Sequence, residues 1–196
     1  MFLGYGNPNS SSLVEFSRSI DCFSAFSLNV TSLPAYSATA LGPILYNGSG
    51  APGPYPEKKV IIFGISVCLT TASGADVAVG LAWGSQLTAS PPPIGQPPIA
   101  ATTPITLVGA TYPNQTLRAP VASAYNAGTV ATAATNFLPL LTLPTTAITA
   151  LNLNSGWIPL DGAIVLPAGG WVALAASATA TSAVLQYAIV WGETTK

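Results

Sequence analysis

The side chains of this chain that are best suited to acid–base catalysis are six carboxylates, which are spread along its whole length: Glu15, Asp21, Glu57, Asp76, Asp161 and Glu193. Two carboxylates can serve as acid and base in glycoside hydrolysis when a fold holds them about 5 to 10 Å apart. Asp76 with Asp161 would be such a pair. Both aspartates adjoin small residues, in Ala75-Asp76 and Asp161-Gly162, where aspartate commonly caps a turn. We therefore expect turn-capping residues here rather than a glycosidase site.

Histidine is absent from the sequence. The commonest general base and metal ligand is therefore missing, and neither a Ser-His-Asp nor a Cys-His arrangement can form. The sequence also lacks a phosphate-binding glycine loop, a dinucleotide fingerprint and a calcium-binding loop. We expect a protein that is not an enzyme, with no catalytic, metal-binding or cofactor-binding residues and no cofactor.

Cys22 and Cys68 are the two cysteines of the chain. A disulfide between them would join the N-terminal segment to the first long strand. Without a disulfide they would serve as small buried apolar residues. The sequence leaves both interpretations open.

Charge is scarce, since only 6% of the residues are charged while 49% are hydrophobic. So low a charge content is typical of membrane proteins and of proteins that pack against their own copies, where charges would have to be desolvated. The charge-free stretch 162–192 is long enough to cross a membrane, but Pro167, Gly169 and Gly170 indicate a turn within it. Lys58-Lys59 is the one adjacent basic pair, beside Glu57, which argues against nucleic-acid binding. Assembly is therefore favoured over a membrane or nucleic-acid partner.

Alternating apolar and polar residues predict an all-β domain over residues 24–196, preceded by an N-terminal arm over residues 1–23. A proline-rich segment at 88–104 predicts a long surface loop. Short predicted strands that recur at roughly ten-residue spacing, separated by Pro, Gly or Asn, are typical of a sandwich or barrel. The expected strands are 24–31, 36–46, 58–71, 77–84, 105–111, 137–143, 147–153, 157–160, 163–166, 171–177 and 183–191.

Two pairs of adjacent strands predict hairpins. The first pair joins 58–71 to 77–84 through the turn 72–75, and the second joins 171–177 to 183–191. One face of the strand at 77–84 consists of alanine and glycine, so another backbone layer can approach it closely. The large residues expected to share inward faces are Ile61, Phe63, Ile65, Val67 and Leu69 in the first strand, Val77, Val79, Leu81 and Trp83 in the second, and Leu185, Tyr187, Ile189 and Trp191 in the last.

The C-terminal sequence from Asp161 to Leu174, together with Tyr187 to Glu193, resembles the closing strands of jelly-roll domains in bacteriophage structural proteins. These include the capsid decoration, or cement, proteins of tailed-phage heads. The resemblance implies an antiparallel jelly-roll β-sandwich, a homotrimer on the capsid surface of the virion, and an N-terminal arm that contacts the major capsid protein. It carries no catalytic motif.

The expected function is therefore that of a virion structural protein that stabilises a phage head. A single-jelly-roll major capsid protein is one alternative, and a spike head or carbohydrate-binding module is another. The aromatic residues distinguish a scaffold from a sugar-binding module, because the former buries them and the latter clusters them in a surface groove. The residues concerned are Trp83, Trp157, Trp171 and Tyr187.

Overall fold

The computed structural model describes residues 21–49, 58–71, 76–85, 100–101, 107–109, 120–125, 128–130, 132–143 and 156–195. These residues form strands joined by turns and short irregular segments, with no helix among them. The prediction of an all-β fold is confirmed for these residues. The strands are β1 (Asp21–Leu33), β2 (Ala40–Leu41), β3 (Ile44–Asn47), β4 (Lys58–Thr71), β5 (Val77–Ser85), β6 (Ala100–Ala101), β7 (Leu107–Gly109), β8 (Ala122–Tyr125), β9 (Gly128–Thr129), β10 (Asn136–Leu143), β11 (Gly156–Leu166), β12 (Gly170–Ala176) and β13 (Ala180–Thr195).

The strands form two five-stranded antiparallel sheets and one small sheet. Sheet 1 has the order β11-β4-β13-β1-β7, and sheet 2 has the order β10-β5-β12-β3-β8. Sheet 3 consists of the short strands β2-β9-β6. Sheets 1 and 2 share a hydrophobic core, to which β4 and β13 contribute from one side and β5 and β12 from the other. The two large sheets therefore pack face to face, as in a sandwich.

Both predicted hairpins are wrong, because the two strands of each predicted pair lie in opposite sheets and face each other across the core instead of pairing. β4 lies in sheet 1 and β5 in sheet 2, while β12 lies in sheet 2 and β13 in sheet 1. Period-2 alternation shows that each strand has one buried face, but it does not show which strand lies beside it. Two strands that face each other across a core have the same alternation as two strands of a hairpin.

The inward face of β4 changes phase within the strand. Ile65, Val67 and Leu69 enter the core as predicted, but at the other end of the strand Val60 and Ile62 do so instead of Ile61 and Phe63. β4 loses register with β13 between Gly64 and Ile62. The irregularity at Phe63 shifts the alternation by one residue, which moves every side chain before it to the opposite face. The predicted inward faces of β5 and β13 are confirmed.

The outer face of sheet 2 is covered by the chain itself. A second hydrophobic cluster joins Ala82 of β5 and Trp171 of β12 to Leu41 of β2 and to Val130, which follows β9. The rings of Tyr36 and Phe137 stack at its margin, with centroids 4.9 Å apart. The small-residue face of β5 therefore accommodates another layer, as predicted, and sheet 3 with its flanking segments provides that layer.

Strand bounds agree with the sequence prediction to different degrees. β4 has the predicted bounds, β1 begins three residues before the predicted start, and the predicted strand 36–46 is divided into β2 and β3. The predicted strands 157–160 and 163–166 form one strand, β11, that is irregular between Pro159 and Ile164. Asp161 and Gly162 have φ angles of 46° and 80° there, which fits their predicted role in a turn. The first twenty residues of the predicted arm, the predicted strand 147–153 and most of the proline-rich segment lie outside the described residues.

Candidate functional site

The densest group of polar side chains lies at one end of the sandwich and is called the polar clamp: Asn47, Ser49, Lys58, Trp191 and Glu193. Three of these residues, Asn47, Ser49 and Glu193, are the buried polar or charged residues of the described chain. A buried polar group destabilises the fold unless it is hydrogen-bonded. The partners of each group therefore decide what the clamp can do.

Asn47 connects three strands through its amide. Its Nδ2 donates to the carbonyl oxygen of Lys58 at 2.9 Å and to that of Leu166 at 3.0 Å. Its Oδ1 accepts from the backbone N–H of Ser49 at 3.1 Å and from the Ser49 hydroxyl at 2.7 Å. Asn47 is fully buried, at 0% exposure. The side chain thus holds the end of β3 against the start of β4 and the end of β11.

Glu193 has a carboxylate that binds the backbone at the start of β8. Its Oε1 accepts from the N–H groups of Val121 and Ala122, both at 2.9 Å, and from the indole Nε1 of Trp191 at 3.4 Å. Its Oε2 accepts from Val121 N–H at 3.0 Å and lies 3.5 Å from Lys58 Nζ. The side chain of Glu193 is fully buried, and that of Lys58 is 14% exposed.

The chemistry of the clamp is that of a structural network. The carboxylate accepts hydrogen bonds from two backbone N–H groups and from the Trp191 indole, and the Asn47 amide uses both of its N–H groups and its oxygen. A general base needs a lone pair directed at an accessible proton, whereas here the lone pairs receive backbone and side-chain N–H groups. The arrangement therefore fastens β3, β4, β8, β11 and β13 together at one end of the sandwich.

The alternation of β13 indicates the position of Glu193, although its role is not apparent from the sequence. Leu185, Tyr187, Ile189 and Trp191 face the core, and Glu193 is the next residue in that series. A carboxylate at an inward position needs buried donors. The donors are Val121 and Ala122, more than seventy residues away in sequence, which local patterning does not connect to β13.

The structure does not bring Asp76 and Asp161 together. Asp161 lies in the irregular part of β11, beside Phe63 in the middle of β4, whereas Asp76 precedes β5 in the other sheet. Eight residues of extended strand, about 26 Å, separate Phe63 from Thr71, where the connection toward Asp76 begins. Both aspartates are exposed. Among the carboxylates in the described residues, none joins a group of three or more potential metal ligands.

The two cysteines are too far apart for a disulfide. Cys22 is opposite Gly192 on β13, and Cys68 is opposite Gln186 on the same strand. Six residues of β13 separate these positions, about 20 Å along the strand, and a disulfide requires Cα atoms within about 7 Å. Cys68 is a free, half-buried cysteine. Of the two interpretations of these cysteines, the disulfide is therefore wrong.

The aromatic residues that distinguish a scaffold from a sugar-binding module are largely buried. Trp171 is 1% exposed and Tyr187 is 4% exposed, while Trp83 is partly buried against the main core. Burial raises the pKa of the Tyr187 phenol above its usual range. Trp157 is 46% exposed and lies on the outer face of sheet 1, where its indole covers Gly64 of β4. These four residues do not form a single aromatic groove.

Comparison of the chain with protein family models, with curated protein sequences and with solved structures yielded no match. Across the part of the chain that the structure describes, no helix has the length and hydrophobicity needed to cross a membrane.

Proposed function

We propose that this chain is a virion structural protein with a jelly-roll fold: a capsid decoration, or cement, protein that stabilises a phage head as a homotrimer. In this proposal the chain sits on the capsid surface, and its N-terminal arm contacts the major capsid protein. It has no enzymatic activity and no nucleic-acid partner. The observation that carries the proposal is the pairing of the eight principal strands.

The pairing supports a jelly roll because the strands pair as they do when a long hairpin is rolled into a sandwich. The eight principal strands, numbered first to eighth in chain order, are β1, β3, β4, β5, β10, β11, β12 and β13. The first then pairs with the eighth, and the second with the seventh. The third pairs with the sixth, and the fourth with the fifth. Strands β7 and β8 extend the two sheets beside the first and second strands.

The composition supports assembly as the role of this fold. A jelly roll serves capsid proteins and lectin domains alike, so fold alone does not assign function. The chain has only 11 charged groups among 196 residues, 5 basic and 6 acidic. A free soluble domain usually carries more charge to remain dispersed, whereas a subunit interface is depleted of charge because charged groups would have to be desolvated there.

The main alternatives differ from this proposal in what they require of the surface. A carbohydrate-binding module or spike head requires exposed aromatic residues in a groove, and Trp157 is the one exposed residue of the four considered. The burial of Trp171 and Tyr187 supports the scaffold role instead. A single-jelly-roll major capsid protein would have the same strand pairing but would form the shell itself.

The native mass of the purified protein tests the proposal. Multi-angle light scattering should give three times the chain mass of 19.8 kDa at both a low and a high micromolar concentration. A monomer at both concentrations would contradict the homotrimer. Closed shells formed by the protein alone would instead favour the major capsid alternative.

A further inference from the structure

Within the described part of the chain, the outer face of sheet 1 lacks a covering layer like the one on sheet 2. Sheet 3 and its flanking segments cover the outer face of sheet 2, but no other described segment packs on sheet 1 in a comparable cluster. The two exposed large hydrophobic side chains in the described part of the chain, Trp157 at 46% and Val165 at 45%, both belong to β11. We define the sheet 1 face by its outward apolar residues on β11, β4 and β13, among which the polar Gln186 and Ser66 also face outward: Ile61, Cys68, Trp157, Val165, Ala188 and Val190.

The charges of the sheet 1 face are few and balanced. Among the described side chains of β11, β4 and β13, its exposed charged groups are Lys59, at the start of β4, and Asp161, in the irregular part of β11. One cation and one anion give the face no net charge. A nucleic acid would require several cations. A second copy of the chain, itself almost uncharged, can meet this face without net electrostatic repulsion.

The size of the face is sufficient for a weak subunit contact. The strands β11, β4 and β13 lie side by side and contain 11, 14 and 16 residues. At about 4.8 Å between strands and about 3.3 Å per residue, about eleven residues of each give roughly 500 Å² per copy, or roughly 1,000 Å² for a pair. Specific interfaces begin at about that total area. Trp157 is the type of residue that anchors such contacts.

The sheet edges at β10 and β11 do not provide an alternative contact by strand addition. Both strands contain a proline, Pro139 in β10 and Pro159 in β11, and both lose register beside it. Proline and irregular register on an edge strand prevent another strand from pairing there. Contact between copies at this side of the sandwich must therefore use a face.

We propose that the sheet 1 face is covered by a second copy of this chain in the assembled protein, with Trp157 as the anchor of the contact. This proposal rests on the assembly role given under the proposed function, and it identifies the surface through which assembly occurs. The exposed indole and Val165 lose contact with water when the copies associate, which provides the driving force.

Light scattering on the full-length chain and three variants tests this assignment. Trp157→Ser removes the anchor, and Val165→Lys places a charge on the face without uncovering Gly64. Thr142→Lys is the control, because it adds the same charge at an exposed position on β10 of sheet 2. Circular dichroism and thermal unfolding establish that each variant is folded.

We expect both face variants to weaken self-association by about 30-fold or more, the loss expected for a central anchor, while Thr142→Lys keeps the wild-type mass. Folded Val165→Lys that keeps the mass of an assembled wild type would overturn the face assignment and leave the proposed function standing. A wild type that is monomeric at every concentration would overturn both.

Discussion

Replacing Glu193 tests whether the backbone hydrogen bonds of the polar clamp stabilise the fold. Glu193→Ala leaves the N–H groups of Val121 and Ala122 without their acceptor in a buried site. Each buried donor that loses its acceptor costs about 1 to 3 kcal/mol, so we expect a loss of about 3 to 5 kcal/mol in the free energy of unfolding. A typical domain has about 5 to 15 kcal/mol in total.

Two further variants separate the contributions to this loss. Glu193→Gln keeps one oxygen that can accept from the same backbone N–H groups, so we expect a smaller cost of about 1 to 2 kcal/mol. Lys58→Met retains the aliphatic stem and removes only the ammonium group, 3.5 Å from Oε2. Its cost should be about 1 kcal/mol or less, because the carboxylate keeps its N–H donors.

Urea unfolding followed by tryptophan fluorescence measures these differences, at one fixed protein concentration because association contributes to stability. The expected order of destabilisation is Glu193→Ala, then Glu193→Gln, then Lys58→Met. A Lys58→Met variant as destabilised as Glu193→Ala would refute the reasoning, because the ion pair would then outweigh the backbone hydrogen bonds.

Three further predictions concern the core and the edge of the sandwich. Gly80→Ala should lower the free energy of unfolding by about 2 kcal/mol or more, because a Cβ at this position would collide with the Leu138 carbonyl group. Gly156 has open space around it, so Gly156→Ala is the control and should change the free energy of unfolding by no more than about 0.5 kcal/mol in the same urea experiment. Alkaline pH should destabilise the protein, because burial raises the pKa of Tyr187 in the folded state. As the pH rises, the Tyr187 phenol therefore loses its proton first in the unfolded chain, and the free energy of unfolding should fall by up to about 1.4 kcal/mol per pH unit above about pH 10. The Tyr187→Phe variant should show a shallower fall of the free energy of unfolding with pH. An unchanged slope in that variant would show that Tyr187 does not cause the alkaline destabilisation. Leu81→Asp should abolish folding or assembly, because Leu81 is buried in the main core between β10 and β12; a soluble, stable variant by circular dichroism would show that the core assignment is wrong.

Local alternation predicted the strands and many of the core residues. In β13, large apolar residues at every second position from Leu185 to Trp191 required one buried face, and the structure places them in the main core. The same reasoning succeeded for Val77, Val79 and Leu81 in β5. These predictions held because period-2 burial depends on the strand itself and not on which strand lies beside it.

Strand pairing could not be predicted in the same way, because it depends on residues distant in sequence. β4 and β5 face each other across the core instead of forming a hairpin, and a strand with one apolar face suits both arrangements. The change of phase at Phe63 also depends on the neighbouring strands, with which β4 loses register. The partners of Glu193 are likewise distant in sequence. Alternation thus identified buried faces, and tertiary pairing determined what they contact.

The most direct test of the central claim is a search for this chain in purified virus particles from its source. Particles are banded by density centrifugation, and quantitative mass spectrometry then measures this chain relative to the most abundant shell protein. The account predicts that the chain is present in the particle band at many copies per particle and is retained after washing. Its absence from the particles, with the protein found only in the unsedimented fraction, would contradict a virion structural role.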